Sequence, residues 1–318
     1  MTTSEPRKAN FSAEELSEIL CSYDLGEYRS HQVFSHGDDQ TNILLVTDEA
    51  KFAFRYYEKR SEEYALFEID LLRYLGRRSY PSPSPLKNRQ GGFVGNHNGK
   101  PFAIFQFLDG EYEADEGHYR EVARAIGKLH QIMAGYKPEY AEARDTYDPV
   151  SCWASATANS VKFKSWTKAQ AKLAWLEAEL GKLQLPTNMP EGVCHGDPNP
   201  SNFLYANGHL SAVLDFDQAS YTYLLYDVAN MIYWWTWPNN GELNFAKTKL
   251  LLAEYENERQ LTETEKEHLY DMLKMVNLMG AGWFLYVYED DDYSSGQRKV
   301  ESLNEMGREE FYKEMFLS

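Results

Sequence analysis

The sequence predicts an α+β fold, with strands gathered early in the chain and helices after them. Two hairpin patterns carry the first half of that reading. Residues 41–46 and 52–57 are short apolar runs joined by Thr47-Asp48-Glu49-Ala50, and 93–96 and 102–107 are joined around His97-Asn98-Gly99. From residue 119 onward the apolar residues recur at helical spacing, as in Val122, Ile126 and Leu129. The length of 318 residues supports two cores rather than one.

Composition narrows the class of protein. Hydrophobic residues make up 43% of the chain, which is the level of a globular protein rather than a disordered one. A formal net charge of −17 argues against nucleic acid or an anionic membrane surface as the main partner and favours a cationic small molecule. Cys21, Cys152 and Cys194 are far apart and odd in number, so reduced thiols in a cytoplasmic protein are expected. Met1-Thr2-Thr3-Ser4-Glu5-Pro6 lacks the basic and apolar pattern of a signal peptide. The run holding Trp234 and Trp235 is interrupted by Asp227 and Asn230, so no membrane span is expected.

Taken in order, the first element is a helix opened by Ser12, with Glu15 three residues on completing a capping box. Leu16, Ile19 and Leu20 form its apolar face, and Gly26 is its expected stop. After the first hairpin, 61–75 reads as a helix with Phe67, Leu71, Leu72 and Leu75 on one side. Pro81, Pro83 and Pro85 mark an extended connector. The second hairpin ends at Leu108-Asp109-Gly110. Helices then follow over 119–131 and 162–183, and the stretch 221–237 comes after the catalytic hairpin. Thr262 and Glu265 cap another helix that carries Leu269, Leu273, Met275 and Phe284, and 306–316 closes the chain as a short helix. His130 reads as a packed histidine, and Asp227 as a carboxylate at a helix N-terminus. Met231, Ile232, Trp234 and Trp235 read as core, with Asn230, Tyr233 or Trp234 as the residues that could line an acceptor site. Glu289-Asp290-Asp291-Asp292 reads as a solvated helix end, or alternatively as an acidic rim for a cationic acceptor.

The chemistry concentrates in 195–217. His195-Gly196-Asp197-Pro198-Asn199-Pro200-Ser201-Asn202 is followed by two short apolar runs around Asn207-Gly208, then by Leu214-Asp215-Phe216-Asp217. An Asn-Gly turn between β-type runs is a hairpin signal, and that hairpin returns Asp215 to the neighbourhood of Asp197 and Asn202. Phosphoryl transfer needs this set. Its catalysis is mostly positioning and charge neutralisation, with hard oxygen ligands for magnesium and a separate carboxylate facing the attacking hydroxyl. In this pattern Asp197 is the base and Asn202 and Asp215 are the metal ligands, with Asp217 as a further carboxylate on the metal side.

These motifs resemble the catalytic and metal loops of the aminoglycoside phosphotransferase and choline kinase superfamily. The resemblance implies a bilobal protein-kinase-like fold, with a small antiparallel-sheet N-lobe over 1–108 that binds nucleotide. A larger, mainly helical C-lobe over 109–318 would carry catalysis and the substrate site. It implies ATP and Mg²⁺ as cofactors and the hydroxyl of a small molecule as acceptor. Phe52-Ala53-Phe54-Arg55 is similar to the kinase strand that ends in a phosphate-contacting Lys, here replaced by Arg55. Glu68 is its expected partner, with Asp70 as the alternative. Ser35, in Ser35-His36-Gly37-Asp38-Asp39-Gln40, occupies the place of the phosphate-covering loop. Gln106, Phe107 and Leu108 occupy the hinge whose backbone meets the adenine edge. His195 would hold the catalytic loop beside Asp197.

The layout is most similar to type II homoserine kinases. It shares the Tyr23-Asp24-Leu25-Gly26 stretch, the Pro-containing connector, Gly99-Lys100-Pro101 before a strand, and Leu225-Tyr226-Asp227 after the metal loop. An aminoglycoside-type acceptor is the alternative that the charge of −17 and the acidic run would suit. A catalytically silent, nucleotide-binding member is the alternative of another class. Loss of the base or of a ligand would mark it, and Asp197, Asn202 and Asp215 are all present.

Overall fold

A computed structural model describes residues 9–34, 40–112, 117–239, 241–283, 285 and 295–317. Ser35 and the rest of 35–39, Phe284, and the acidic run 289–292 lie outside the described residues. The chain packs as two compact units. One comprises Met1–Glu111 with Pro138–Arg144 and Ser211–Leu214, and the other Tyr112–Lys137, Asp145–Leu210 and Asp215–Ser318. The fold is α+β, with an antiparallel sheet in the N-terminal region and helices dominating the C-terminal part.

In the first unit, helix α1 (Ala13–Leu20) is opened by the expected capping box. Ser12 Oγ accepts from the Glu15 N–H at 3.2 Å and Glu15 Oε2 accepts from the Ser12 N–H at 2.8 Å. The helix stops at Leu20, earlier than the Gly26 expected from the sequence. Strands β1 (Tyr28–Val33), β2 (Thr41–Thr47), β3 (Lys51–Tyr56), β4 (Val94–His97) and β5 (Lys100–Gln106) form one sheet in the order β1-β2-β3-β5-β4. β1 is an edge strand of mostly exposed polar residues, so it lacks the apolar alternation that reveals β2 and β3. On β3, Phe52, Phe54 and Tyr56 are buried against α1 through Phe11, whose ring centroid lies 5.1 Å from that of Phe54. Alternation therefore places Arg55 on the opposite face. Helix α2 (Glu62–Gly76) uses Ser61 as its N-cap and buries Phe67, Leu71, Leu72, Leu75 and the carboxylate of Glu68.

The second unit is mainly helical. Helix α3 (Tyr119–Ile132) matches its apolar periodicity. Helix α4 (Pro149–Ser160) was not apparent from the sequence, although Asp148 caps it and Pro149 opens it. The expected helix over 162–183 begins later, as α5 (Trp166–Leu180), with Ser165 as N-cap. Strand β6 (Glu191–Cys194) leads into the catalytic loop. Strands β7 (Phe203–Ala206) and β8 (His209–Val213), the latter counted from Ser211 with the first unit, form the expected hairpin, with Asn207 and Gly208 at φ of 54° and 76°. Strand β9 (Ser220–Tyr223) runs antiparallel to β6, so both ends of 195–219 are tied together. Helix α6 (Leu225–Trp235) follows at once. It buries Met231 and Ile232, but Trp234 is 40% exposed, which corrects its reading as a core residue. Helix α7 (Phe245–Glu256) packs on α3. The helix expected after Thr262 is divided into α8 (Glu263–Glu267), with its capping box, and α9 (Leu269–Trp283). Helices α10 (Ser295–Met306) and α11 (Arg308–Tyr312) close the unit, separated by Gly307 at φ 77°. Among the described residues no helix is long and apolar enough to cross a membrane.

Candidate active site

The second unit holds the reactive set. Asp197 lies in the loop after β6, and its carboxylate is held from one side. Asn199 Nδ2 donates to Asp197 Oδ2 at 2.5 Å, and Asn202 Nδ2 donates to the same oxygen at 3.1 Å and to the Asp197 carbonyl at 2.8 Å. The second carboxylate oxygen, Oδ1, is therefore the one directed away from these amides. The turn Pro200–Asn202 makes this possible, because Asn199 caps it and accepts the Ser201 N–H at 2.9 Å. Asn202 spends its amide nitrogen on Asp197, which turns its carbonyl oxygen away from that residue.

Asp215 follows β8 with φ of 58°, a left-handed conformation that Asp tolerates better than most residues. It lies near enough to Asp197 to matter electrically. Burial raises the Asp197 carboxyl above its ordinary range and the Asp215 charge adds to this, while His195 and the two asparagine amides oppose it. Two carboxylates that repel each other beside a neutral amide oxygen are a hard-oxygen donor set, the kind that suits magnesium. Asp217 is buried in the turn Phe216–Gln218, two residues beyond Asp215.

His195 is fully buried, with its ring 4.8 Å from that of Phe216. Its Nδ1 accepts the Asp197 N–H at 3.3 Å, so it holds the loop and does not face solvent. Behind the loop stands Asp227, in the first turn of α6 as its sequence position predicts. Its Oδ2 accepts the His195 N–H at 2.6 Å and its Oδ1 the Gly196 N–H at 2.9 Å. His130 Nε2 reaches Oδ2 at 3.1 Å, and His130 Nδ1 meets the Tyr255 hydroxyl at 2.7 Å. Burial alone would raise the Asp227 carboxyl. The hydrogen bond to His130, the electrostatic influence of the His130 and His195 rings and the Gly196 N–H outweigh it and lower the carboxyl below its usual range. Asn230 donates to the Gly196 carbonyl at 2.7 Å, which ties its amide to the loop rather than to an acceptor. Trp235 also touches this loop, and the sequence marked it only as a core residue.

The first unit presents the residues expected to serve the nucleotide. Arg55 Nη1 pairs with Glu68 Oε1 at 2.7 Å, and Arg55 Nε donates to Asn42 Oδ1 at 3.0 Å. The Tyr57 hydroxyl donates to the other Glu68 oxygen at 2.8 Å. Asp70 instead pairs with Arg73 at 3.0 Å. The guanidinium is thus fixed by two partners on the sheet face opposite the aromatic core. Gln106 ends β5, and its N–H donates to the Ser84 carbonyl at 2.8 Å, so that donor is already used. Phe107 and Leu108 follow as half-buried residues, with Lys51 Nζ 5.7 Å from the Phe107 ring centroid.

Comparison with known proteins identifies the family of the chain. Residues 30–263 match the phosphotransferase enzyme family, and the chain belongs to that family. It is a small-molecule kinase, an enzyme that phosphorylates an alcohol group. Over 261 residues it is 31% identical to the homoserine kinase of Sinorhizobium fredii, an alignment spanning 80% of this chain and 78% of that one. Among solved structures, an amicoumacin kinase in complex with AMP-PNP, Ca²⁺ and Ami superposes with a TM-score of 0.67 at 15% identity, covering 93% of each chain. A microcompartment-associated aminopropanol kinase gives a TM-score of 0.65 at 15% identity, covering 92% of this chain and 94% of that one. These structural likenesses are to the fold.

Proposed function

We propose that the protein transfers the γ-phosphoryl group of ATP to the side-chain hydroxyl of homoserine. The observation that carries the chemistry is the Asp197 carboxylate, held at Oδ2 by Asn199 and Asn202. In this reading Oδ1 orients the acceptor hydroxyl and takes its proton as the oxygen–phosphorus bond forms. The bond between the γ-phosphorus and the bridging oxygen breaks, and its electron pair leaves with ADP. Asn202 Oδ1 and the Asp215 carboxylate would hold Mg²⁺, with Asp217 as the further carboxylate of that loop. When bound, the ion would neutralise the phosphate charge. Arg55, aimed by Glu68, would contact the nucleotide phosphates, and Ser35 would belong to the loop that covers them. Backbone groups of Phe107 and Leu108, with the carbonyl rather than the N–H of Gln106, would meet the adenine edge. The N-terminal unit is thereby assigned to nucleotide and the C-terminal unit to catalysis and acceptor. His195 is a positioning residue for the loop.

Homoserine as acceptor rests on the relatives that carry that activity in their names over four-fifths of this chain. The test is an acceptor screen by ADP release with Mg-ATP, using homoserine, choline, methylthioribose and an aminoglycoside. The reading expects the highest kcat/KM with homoserine. A preference for the aminoglycoside would overturn the acceptor assignment, and ADP release independent of every acceptor would overturn the kinase mechanism.

A further inference from the structure

Helix α6 contacts the catalytic loop at four main-chain atoms. Asp227 takes the N–H groups of His195 and Gly196, Asn230 takes the Gly196 carbonyl, and Trp235 Nε1 donates to the Pro198 carbonyl at 2.8 Å. Eight residues separate Asp227 from Trp235, about 12 Å along a helix axis, so the contacts span much of α6. The Trp235 contact differs from the others in where it falls. Pro198 is buried and has no N–H, so its carbonyl is its one main-chain polar group. That carbonyl belongs to the peptide unit joining Pro198 to Asn199. Asn199 in turn holds Asp197 Oδ2 at 2.5 Å. The indole is itself fixed, with its ring edge-on to Phe203 at 5.9 Å and 70°.

We infer that Trp235 is a positioning residue for phosphoryl transfer, one that orients the Asp197 carboxylate through the Pro198 carbonyl and the Asn199 amide. Without the indole N–H, a buried carbonyl loses its donor and the 198–199 peptide is free to turn. The Asn199 amide then leaves Oδ2, and the carboxylate no longer presents Oδ1 in one direction. Nucleotide contacts are unaffected, because none of these groups is assigned to them. The inference rests on Asp197 as the base.

The test compares wild type, Trp235→Phe, a variant with benzothienylalanine at position 235, and Asp197→Asn. Phe keeps an aromatic ring against Phe203. Benzothienylalanine keeps the whole bicyclic shape and replaces N–H by sulfur, so it decides the matter if the Phe variant fails to fold. With homoserine and Mg-ATP, kcat is expected to fall roughly 10- to 100-fold in both position-235 variants, the scale of a misaligned reacting group. KM for ATP should stay at the wild-type value, with kcat expressed per folded active site titrated by Mg-ATP binding, because a partly unfolded population would also lower apparent kcat at unchanged KM. A folded position-235 variant with wild-type kcat, while Asp197→Asn is inactive, would overturn the role of Trp235 and leave the base intact. So would a change confined to KM for ATP. Wild-type kcat in Asp197→Asn would remove the base, and this inference with it.

Discussion

Asp227 makes no contact with the reacting atoms in this reading, yet it is the most heavily used side chain behind them. Two main-chain N–H groups and His130 converge on its carboxylate, and all are buried. Its lowered pKa fixes the sign of the pH effect. A carboxyl lower in the folded than in the unfolded state contributes stability that is present above the unfolded value, near 4, and is lost as pH falls through the folded one. Asp227→Asn should therefore cost about 1–3 kcal/mol at pH 7, the range for leaving a buried N–H without its acceptor. That gap should narrow as acid protonates the wild-type carboxyl. Urea unfolding of both proteins at pH 7 and in acid checks this, and a gap independent of pH would contradict it. Arg55 allows a second prediction. Arg55→Met should raise KM for ATP about tenfold, the worth of a charge-assisted hydrogen bond, and Glu68→Gln should raise it less because Asn42 still holds the guanidinium. Calorimetry showing unchanged ATP affinity in Arg55→Met would reduce that arginine to a structural role.

Among the elements, the catalytic loop and the hairpin after it show which glycines matter. Gly196 and Gly208 both adopt positive φ, at 85° and 76°. A Cβ on Gly208 would meet nothing within 4 Å, whereas one on Gly196 would lie 2.1 Å from the Gln218 carbonyl oxygen. Gly208→Ala should cost about 1 kcal/mol from backbone conformation alone and keep full activity. Gly196→Ala must displace main chain on the residue flanked by His195 and Asp197, so it should lose both stability and turnover. Thermal unfolding with matched kcat measurements separates the two, and similar behaviour in both variants would deny the loop its tight fit. The elements that sequence reading found are those with a local signature. The Asn207-Gly208 turn, the Ser12 and Thr262 capping boxes and the apolar stripe of α3 each lie within a few residues. β1 escaped because an edge strand needs no apolar face. The pairing of β6 with β9 escaped because it joins residues far apart in the chain, as Cys194 with Ser220 and Glu191 with Tyr223 show.

For the whole molecule, the same distinction between local and distant information applies to the site. His195, Asp197, Asn202 and Asp215 were legible because phosphoryl transfer constrains residue type and spacing together. Glu68 as the partner of Arg55 needed the packing of α2 to separate it from Asp70. Asn230 and Trp235 stood out only as a possible acceptor-site residue and a core residue, since a side-chain bond to the main chain of another element leaves no pattern in sequence. Nor does any local feature show that Pro138–Arg144 and Ser211–Leu214 pack with the N-terminal residues. The central claim is that one carboxylate in this fold accepts the proton of the acceptor hydroxyl. Single-turnover phosphate transfer from Mg-ATP to homoserine, with wild type and Asp197→Asn side by side, tests it most directly. Asp197→Asn should lower the transfer rate by on the order of 10²- to 10⁴-fold, the usual contribution of a positioned general base, with unchanged affinity for Mg-ATP. Equal transfer rates in the two proteins would contradict it.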